Sequence, residues 1–273
     1  MNSRLAIQEP FGKERRRHVR FAVTPLNPYS AAMPESVATS DIVLTGLVLF
    51  GILQLSWFSV MLLRRGAPAE TIQQALPPIF SIWVLMWPVY IDASWLWAGL
   101  IALLILSLVA TSLKRPFFHH LRIAWSPVVE ETGIAVSQRP LLMPLTHTIT
   151  ALLIASLWFQ AIPEFGFGLA LCFCIAFPAA YWVDQLATRR FNHRTLGFPA
   201  HPDQTLAGHI TLIAVSTALL CWALHVYHGT AWQALLIATL IAAMTASATR
   251  ALFPGRWNGP ATMLTSGFVM WLL

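Results

Sequence analysis

Eight apolar runs constrain the fold of this chain more than any other feature. A helix of about 20 apolar residues can cross a bilayer, because it satisfies its own backbone hydrogen bonds inside the lipid. Hydrophobic residues make up 57% of the sequence and charged residues 10%, against about 25% charged residues in soluble domains. The sequence therefore predicts an all-α fold, a polytopic transmembrane helical bundle. The runs lie at about 42–63, 76–91, 93–113, 142–162, 166–183, 207–226, 231–249 and 260–273.

The domain organisation follows from the position of these runs. Residues 1–41 are polar, basic and rich in proline, and we expect an N-terminal tail there. Residues 42–273 are predicted to form a single transmembrane domain. The number of spans has two alternatives, because the run at 76–91 is short and contains three prolines. If residues 76–113 make two full crossings the bundle has eight spans, and otherwise it has seven.

Basic residues predict the orientation of the bundle. In the eight-span arrangement four loops share one side and hold eleven of the seventeen Lys and Arg residues, whereas the short loops on the other side hold none. By the positive-inside rule, the basic side faces the cytoplasm. We therefore expect a multi-pass protein of an inner or cytoplasmic-type membrane. The four loops are 64–75, 114–141, 184–206 and 250–259.

Net charge and cysteine usage argue against two other classes. The net charge of +6 is explained by the basic loops, and the sequence has no aromatic-basic module of the kind that binds RNA, so no nucleic-acid partner is expected. All three cysteines lie inside apolar runs, where they are small span residues and not a metal site or a disulfide framework.

A polar, basic segment at 184–206 carries the candidate chemistry. Asp184 directly follows an apolar span, and an ionisable residue at the membrane boundary is a functional candidate. A carboxylate there can hold a divalent cation that bridges phosphates. Arg189, Arg190 and Arg194 can bind phosphate oxygens with paired N–H groups. The alternative is a solvated loop whose arginines only set the topology.

The order of motifs over about residues 176–273 resembles the polyprenol kinase family, which includes dolichol kinase and phytol kinase and is related to CTP-dependent phosphatidate cytidylyltransferases. The family has a span that ends in Gly-Asp, a basic stretch with Phe-Gly, a Lys-Thr/Ser-x-x-Gly-Ser start of the next span, and an Asp-Asn-x-x-x-Pro-like turn before the last span. The matching pieces here are Val183 to Ala187, Arg189 to Arg194, Gln204 to His209, and Trp257 to Pro260.

This resemblance implies phosphoryl transfer from a nucleotide, CTP in the family, to a long-chain isoprenoid alcohol such as dolichol or phytol. It implies that Asp184 holds a Mg-like divalent cation with the nucleotide and that Asn258 orients a polar group opposite. Phosphate contacts would come from the three arginines, and the nucleotide site would include Gln204, Thr205 and Gly208. Loop lengths and span parity also predict that Asp184, Gln204 and Asn258 converge at one end of the bundle.

Several positions depart from the family pattern. Val183 stands where the family has Gly, Gln204 where it has Lys, and Trp257 where it has Asp. A glutamine supplies no cation for a phosphate. The alternative function is therefore that of a catalytically degenerate homologue that binds lipid or scaffolds a complex. Arg250 ends a span, and we expect its side chain to snorkel to the interface.

Overall fold

The computed structural model describes residues 35–125, 142–191, 195–198, 203–229, 231–253 and 258–273. Within these ranges the chain is helical apart from short turns and isolated bridge residues, among them the antiparallel pair Thr195 and Thr205. The predicted all-α fold is thus confirmed. The helices are α1 (Glu35–Arg64), α2 (Ala69–Leu85), a 3₁₀ turn (Trp87–Val89), α3 (Ala93–Ser112), α4 (Pro116–Trp125), α5 (Leu142–Ala161), α6 (Pro163–Leu171), a π-helical turn (Cys172–Ala176), α7 (Phe177–Phe191), α8 (Leu206–His228), α9 (Trp232–Leu252) and α10 (Asn258–Leu272).

Six helical segments in the described chain are long and apolar enough to cross a membrane. α10 has 15 residues, which at 1.5 Å per residue falls short of a hydrocarbon core of about 30 Å. The finding is compatible with a multi-pass membrane protein, and the predicted count of seven or eight spans is not confirmed. The six segments are Thr39–Arg64, Thr71–Val89, Ala93–Ala110, Pro163–Arg190, Leu206–Tyr227 and Trp232–Leu252.

The first span begins earlier than predicted. Helix α1 already includes residues 35–41, which the sequence predicts to be part of the polar tail. Residues 1–34 lie outside the described residues.

The helical stretch from Pro163 to Phe191 contains Asp184, the first residue of the candidate site along the chain. α6 and α7 join through the π-helical turn, in which the N–H of Phe177 reaches the carbonyl of Cys172. Pro178 directly follows and has no N–H to donate, so a widened turn accommodates it without a break. Because the helix continues to Phe191, the prediction that residues 184–191 belong to a loop was wrong.

Helices α7 to α10 pack through small and branched side chains. α8 packs against both α7 and α9, and α9 packs against α10. Small residues allow helix backbones to approach closely in a membrane bundle. As a result, the end of α9 and the starts of α8 and α10 meet beside the middle of α7. The buried residues of this core include Cys172, Ala176, Ala180, Leu212, Leu220, Ala242 and Met270.

Candidate functional site

A buried carboxylate lies at the point where α7, α8 and α9 meet. Asp184 is only 4% exposed, and Arg250 of α9 is 7% exposed. Arg250 Nη2 donates to Asp184 Oδ2 over 2.8 Å and forms a salt bridge with it. Asp184 Oδ1 accepts two further hydrogen bonds, each of 2.8 Å, from the backbone N–H and the Oγ1 of Thr205. Both carboxylate oxygens therefore have protein partners.

The start of α8 is shaped to receive this carboxylate. Thr205 is the N-cap of α8, and its Oγ1 accepts from the N–H of Gly208 over 3.2 Å while donating to Asp184. N-cap side chains satisfy donors that the first helical turn leaves unpaired. A Cβ at Gly208 would overlap the Asp184 carboxylate. Position 208 thus requires glycine because the carboxylate lies directly against the helix backbone.

The main-chain carbonyl of Arg250 is a hydrogen-bond acceptor that two predicted site residues share. It belongs to the last turn of α9, where carbonyls lack a partner within their own helix. Asn258 Nδ2 donates to it over 2.9 Å and Gln204 Nε2 over 3.3 Å. Asp184, Gln204 and Asn258 therefore all contact one residue, Arg250, and the predicted convergence at one end of the bundle is confirmed.

His209 completes the network. Its Nε2 lies 3.0 Å from Gln204 Oε1 and its Nδ1 lies 2.7 Å from Ser247 Oγ. An amide oxygen only accepts hydrogen bonds, so Nε2 carries the proton in this arrangement. The ring of Phe198 packs on His209 with 5.7 Å between ring centroids. Gln204 is thereby fixed at both ends of its amide, donating to α9 and accepting from α8.

The predicted phosphate-binding arginines do not all lie in this centre. Arg189 and Arg190 are exposed in the last turn of α7, beyond the buried carboxylate. Arg194 lies outside the described residues. The expectation that Arg250 snorkels was wrong, because its guanidinium is buried against Asp184.

Sequence reasoning missed Arg250 as a member of the site, although a signal was present. An arginine within an apolar helix requires a partner, and Asp184 is a buried carboxylate in the middle of α7. The two residues lie 66 positions apart. Only the packing of α7 against α8 and of α8 against α9 brings them together.

The chemistry of these donors does not fit a divalent cation. Mg²⁺ and Ca²⁺ prefer six or more oxygen ligands, with carboxylates among them. Both oxygens of Asp184 are engaged, and a guanidinium already neutralises the carboxylate. In the described part of the chain, no group of three or more His, Cys, Asp or Glu side chains could hold a metal ion. As arranged here, the centre is an internal ion pair and not a metal cage.

Two further features of the site bear on what it could bind. Arg250 Nη1 is buried, and no acceptor for it is present among the described residues. The outer surface around the centre is apolar and exposed next to the arginines of α7. Its large exposed side chains are Leu186 of α7, Leu206 of α8, Leu252 at the end of α9 and Phe253 beyond it.

Comparisons of the chain with protein-family models, with curated proteins and with solved structures found no match. They neither support nor oppose the resemblance to polyprenol kinases.

Proposed function

We propose that this chain is a membrane-embedded protein that binds the phosphate group of a long-chain lipid and does not transfer it. The observation that carries this proposal is the state of Arg250. One of its terminal nitrogens neutralises Asp184, while the other is buried and lacks an acceptor among the described residues. A phosphate oxygen is the kind of acceptor that a guanidinium binds most strongly.

The charge around the centre supports an anionic ligand. Among the described residues of α7, of the segment before α8 and of the end of α9, there are three arginines, Arg189, Arg190 and Arg250, and two aspartates, Asp184 and Asp203. The N-terminus of α8 also points its first-turn N–H groups and the positive end of its dipole toward this region. The local balance thus favours a negative group over a metal ion.

The exposed apolar side chains support a lipid as the bearer of that phosphate. Leu206 is 61% exposed and Leu252 is 75% exposed, and both lie at helix ends that meet the site. A hydrocarbon or isoprenoid chain could lie against such side chains while its phosphate reaches the arginines. A free nucleotide has no hydrocarbon chain, so these side chains would add no binding free energy of this kind.

A second candidate is the phosphotransferase that the family resemblance implies. It is favoured by the convergence of four positions that keep the family's residues, Asp184, Thr205, Gly208 and Asn258, around Gln204, which replaces the family's Lys. CTP with a divalent cation would supply the phosphoryl group. For this chain to transfer a phosphoryl group, Arg250 would have to release Asp184. A cationic side chain at a position other than 204 would also have to contact the phosphates.

Binding of a matched pair of lipids tests the first proposal. The purified protein is analysed by native mass spectrometry with polyprenyl monophosphate and with the corresponding polyprenol. We expect adducts with the phosphate at least tenfold more abundant than with the alcohol, and loss of this preference in Arg250→Gln combined with Asp184→Asn. The double variant leaves no unpaired buried charge, so it serves as the folded comparison. Equal binding of both lipids would overturn the proposal.

A transfer assay decides between the two candidates. The same protein is incubated with radiolabelled CTP, Mg²⁺ and polyprenol, and the lipid extract is counted. We expect no label above a sample without protein. Label that depends on the protein would establish the phosphotransferase and displace the binding proposal.

A further inference from the structure

Gln54 of α1 is a polar side chain in the middle of an apolar span. It belongs to the segment Thr39–Arg64, which has the smallest buried share of the six candidate spans, 22%. Gln54 precedes Arg64 by ten residues, which corresponds to roughly 15 Å along the helix and to half of a hydrocarbon core of about 30 Å. An α1 that crosses the bilayer therefore holds the Gln54 amide near the centre of the lipid.

Other polar side chains of α1 face the bundle and have partners there or in their own helix. Thr45, Ser56 and Ser59 are buried, and each hydroxyl donates to a backbone carbonyl. Gln54, in contrast, is exposed, and no hydrogen bond joins its amide to another described residue. Acyl chains neither donate nor accept hydrogen bonds, so the amide stays unsatisfied wherever lipid covers it.

The residues beside Gln54 form a seam that suits a neighbouring helix. Leu47 and Gly51 precede Gln54 by seven and three residues, and Phe58 follows it by four. This alternation of four and three residues is the spacing along the contact line of a left-handed helix pair. All four residues are exposed, and nothing lies within 4 Å of a Cβ built at Gly51. A small residue there, glycine or alanine, lets a second helix backbone approach closely beside the amide.

We propose that α1 pairs in the membrane with α1 of a second copy of this chain, with Gln54 facing Gln54. An amide both donates and accepts hydrogen bonds, so two glutamines can satisfy each other. Two copies inserted in the same orientation carry Gln54 at the same depth, and a two-fold axis along the membrane normal brings identical residues together. A partner of different sequence would need a polar group of its own at this depth.

The basic end of α1 is compatible with this pairing. Arg64 and Arg65 are exposed at the end of the helix, about half a bilayer away from Gln54. Solvent and salt screen like charges at such a surface position. The seam itself carries no charge from Leu47 to Phe58.

This inference does not depend on the proposed function. Helix α1 packs against α2, α3 and α4, whereas Asp184 and Arg250 lie on α7 and α9. Pairing of copies and binding of a lipid phosphate are therefore separate measurements, and the failure of one would leave the other standing.

Disulfide cross-linking in native membranes tests the seam. The full chain carrying Leu47→Cys or Phe58→Cys is oxidised with copper phenanthroline and analysed on a non-reducing gel. We expect a covalent dimer from at least one of them, because a disulfide requires Cα atoms within about 7 Å. Leu53→Cys is the matched control, since Leu53 is 56% exposed against 62% for Leu47 but lies about 100° from Gln54 around the helix. The unsubstituted chain, whose own cysteines are buried, is the blank.

Substitution of Gln54 tests the hydrogen bond. Association is measured by energy transfer between labelled copies in liposomes at decreasing protein-to-lipid ratios. Gln54→Leu should weaken association about three- to thirtyfold, because hydrogen bonds between spans contribute about 0.6–2 kcal/mol, whereas Gln54→Asn keeps an amide and should retain most of it. Gln233→Leu is the control, since Gln233 is also exposed but lies at the start of α9, and it should leave association unchanged.

Three results would overturn the pairing. The first is a wild-type chain that stays monomeric in liposomes. The second is association of Gln54→Leu as strong as that of the wild type. The third is cross-linking of Leu53→Cys as efficient as that of Leu47→Cys, or a cross-linked product whose mass is not that of two copies.

Discussion

Two buried carboxylates in this molecule are satisfied in different ways. Asp41 of α1 is 2% exposed and accepts hydrogen bonds from the backbone N–H groups of Ile91 and Asp92, over 3.1 and 2.9 Å. Asp184 is similarly buried but accepts from Thr205 and from the guanidinium of Arg250. Asp41 thus relies on peptide dipoles, whereas Asp184 relies on a full opposite charge.

The difference assigns different roles to the two regions. The Asp41 carboxylate fastens α1 to the turn before α3, where Asp92 caps the helix by accepting from Ser94. That is a local structural device. The Asp184 pair holds together the middle of α7, the end of α9 and the start of α8, and its arginine has a second terminal nitrogen without an acceptor among the described residues. A ligand that competes for one member of the pair would change the packing of all three helices.

The strongest effect is expected from Asp184→Asn. Removing one charge leaves Arg250 buried and uncompensated, and breaking a buried pair in this way typically costs about 3–5 kcal/mol. We expect a large loss of thermal stability in detergent, measured by unfolding monitored with circular dichroism.

The control for this prediction is the double variant Asp184→Asn with Arg250→Gln. It removes both charges and retains hydrogen-bonding groups, so it should recover most of the lost stability. A double variant that is less stable than Asp184→Asn alone would show that the ion pair is not the reason for the loss.

A smaller loss is expected from Asp41→Asn. The substitution weakens hydrogen bonds from Ile91 and Asp92 to a charged acceptor, which are worth about 1.5–3 kcal/mol. No buried cation is left behind, so the cost should be clearly below that of Asp184→Asn. Asp203→Asn, at an exposed position, should change stability by no more than about 0.5 kcal/mol. If Asp41→Asn were as damaging as Asp184→Asn, the contrast between the two carboxylates would be lost.

The sequence predicted the long apolar helices but missed α4, which lies in the predicted loop 114–141, and it predicted helix ends less well, for a physical reason. Apolar runs dominate the burial free energy and therefore mark the spans. The end of α7 differs from the prediction because the polar composition of residues 184–190 indicates a loop. Helix continues there through Gln185, Leu186 and Ala187, which are good helix formers. Arg189 and Arg190 then interact favourably with the negative end of the helix dipole.

The site was predictable only in part. Motif order and span parity predicted that Asp184, Gln204 and Asn258 lie together. Both properties can be derived from the positions of residues along the chain. The partners of each side chain depend on packing between helices, which no local pattern contains. Hence the bond from Gln204 to the carbonyl of Arg250, and the neutralisation of Asp184, became visible only in three dimensions.

A loss of moderate size is expected from Gly208→Ala. The new methyl group would overlap the Asp184 carboxylate, and such overpacking typically costs about 1–3 kcal/mol. Gly51 in α1 is the matched control, since nothing lies within 4 Å of a Cβ built there, and Gly51→Ala should cause no loss. The measurement is the difference in melting temperature between the two variants. Equal stability would mean that α8 does not hold the carboxylate as tightly as the geometry indicates.

Among the substitutions in the buried network, the smallest effect is expected from Asn258→Ala, which removes one of two side-chain donors to the carbonyl of Arg250. Gln204 still donates to that carbonyl, so we expect a loss of about 0.5–1.5 kcal/mol. Combining Asn258→Ala with Gln204→Ala leaves the carbonyl without either donor, and the loss should then exceed the sum of the two single losses. Strict additivity in thermal unfolding would contradict a shared acceptor. If Asn258→Ala instead abolished lipid phosphorylation at unchanged stability, Asn258 would have the catalytic role that the family resemblance implies.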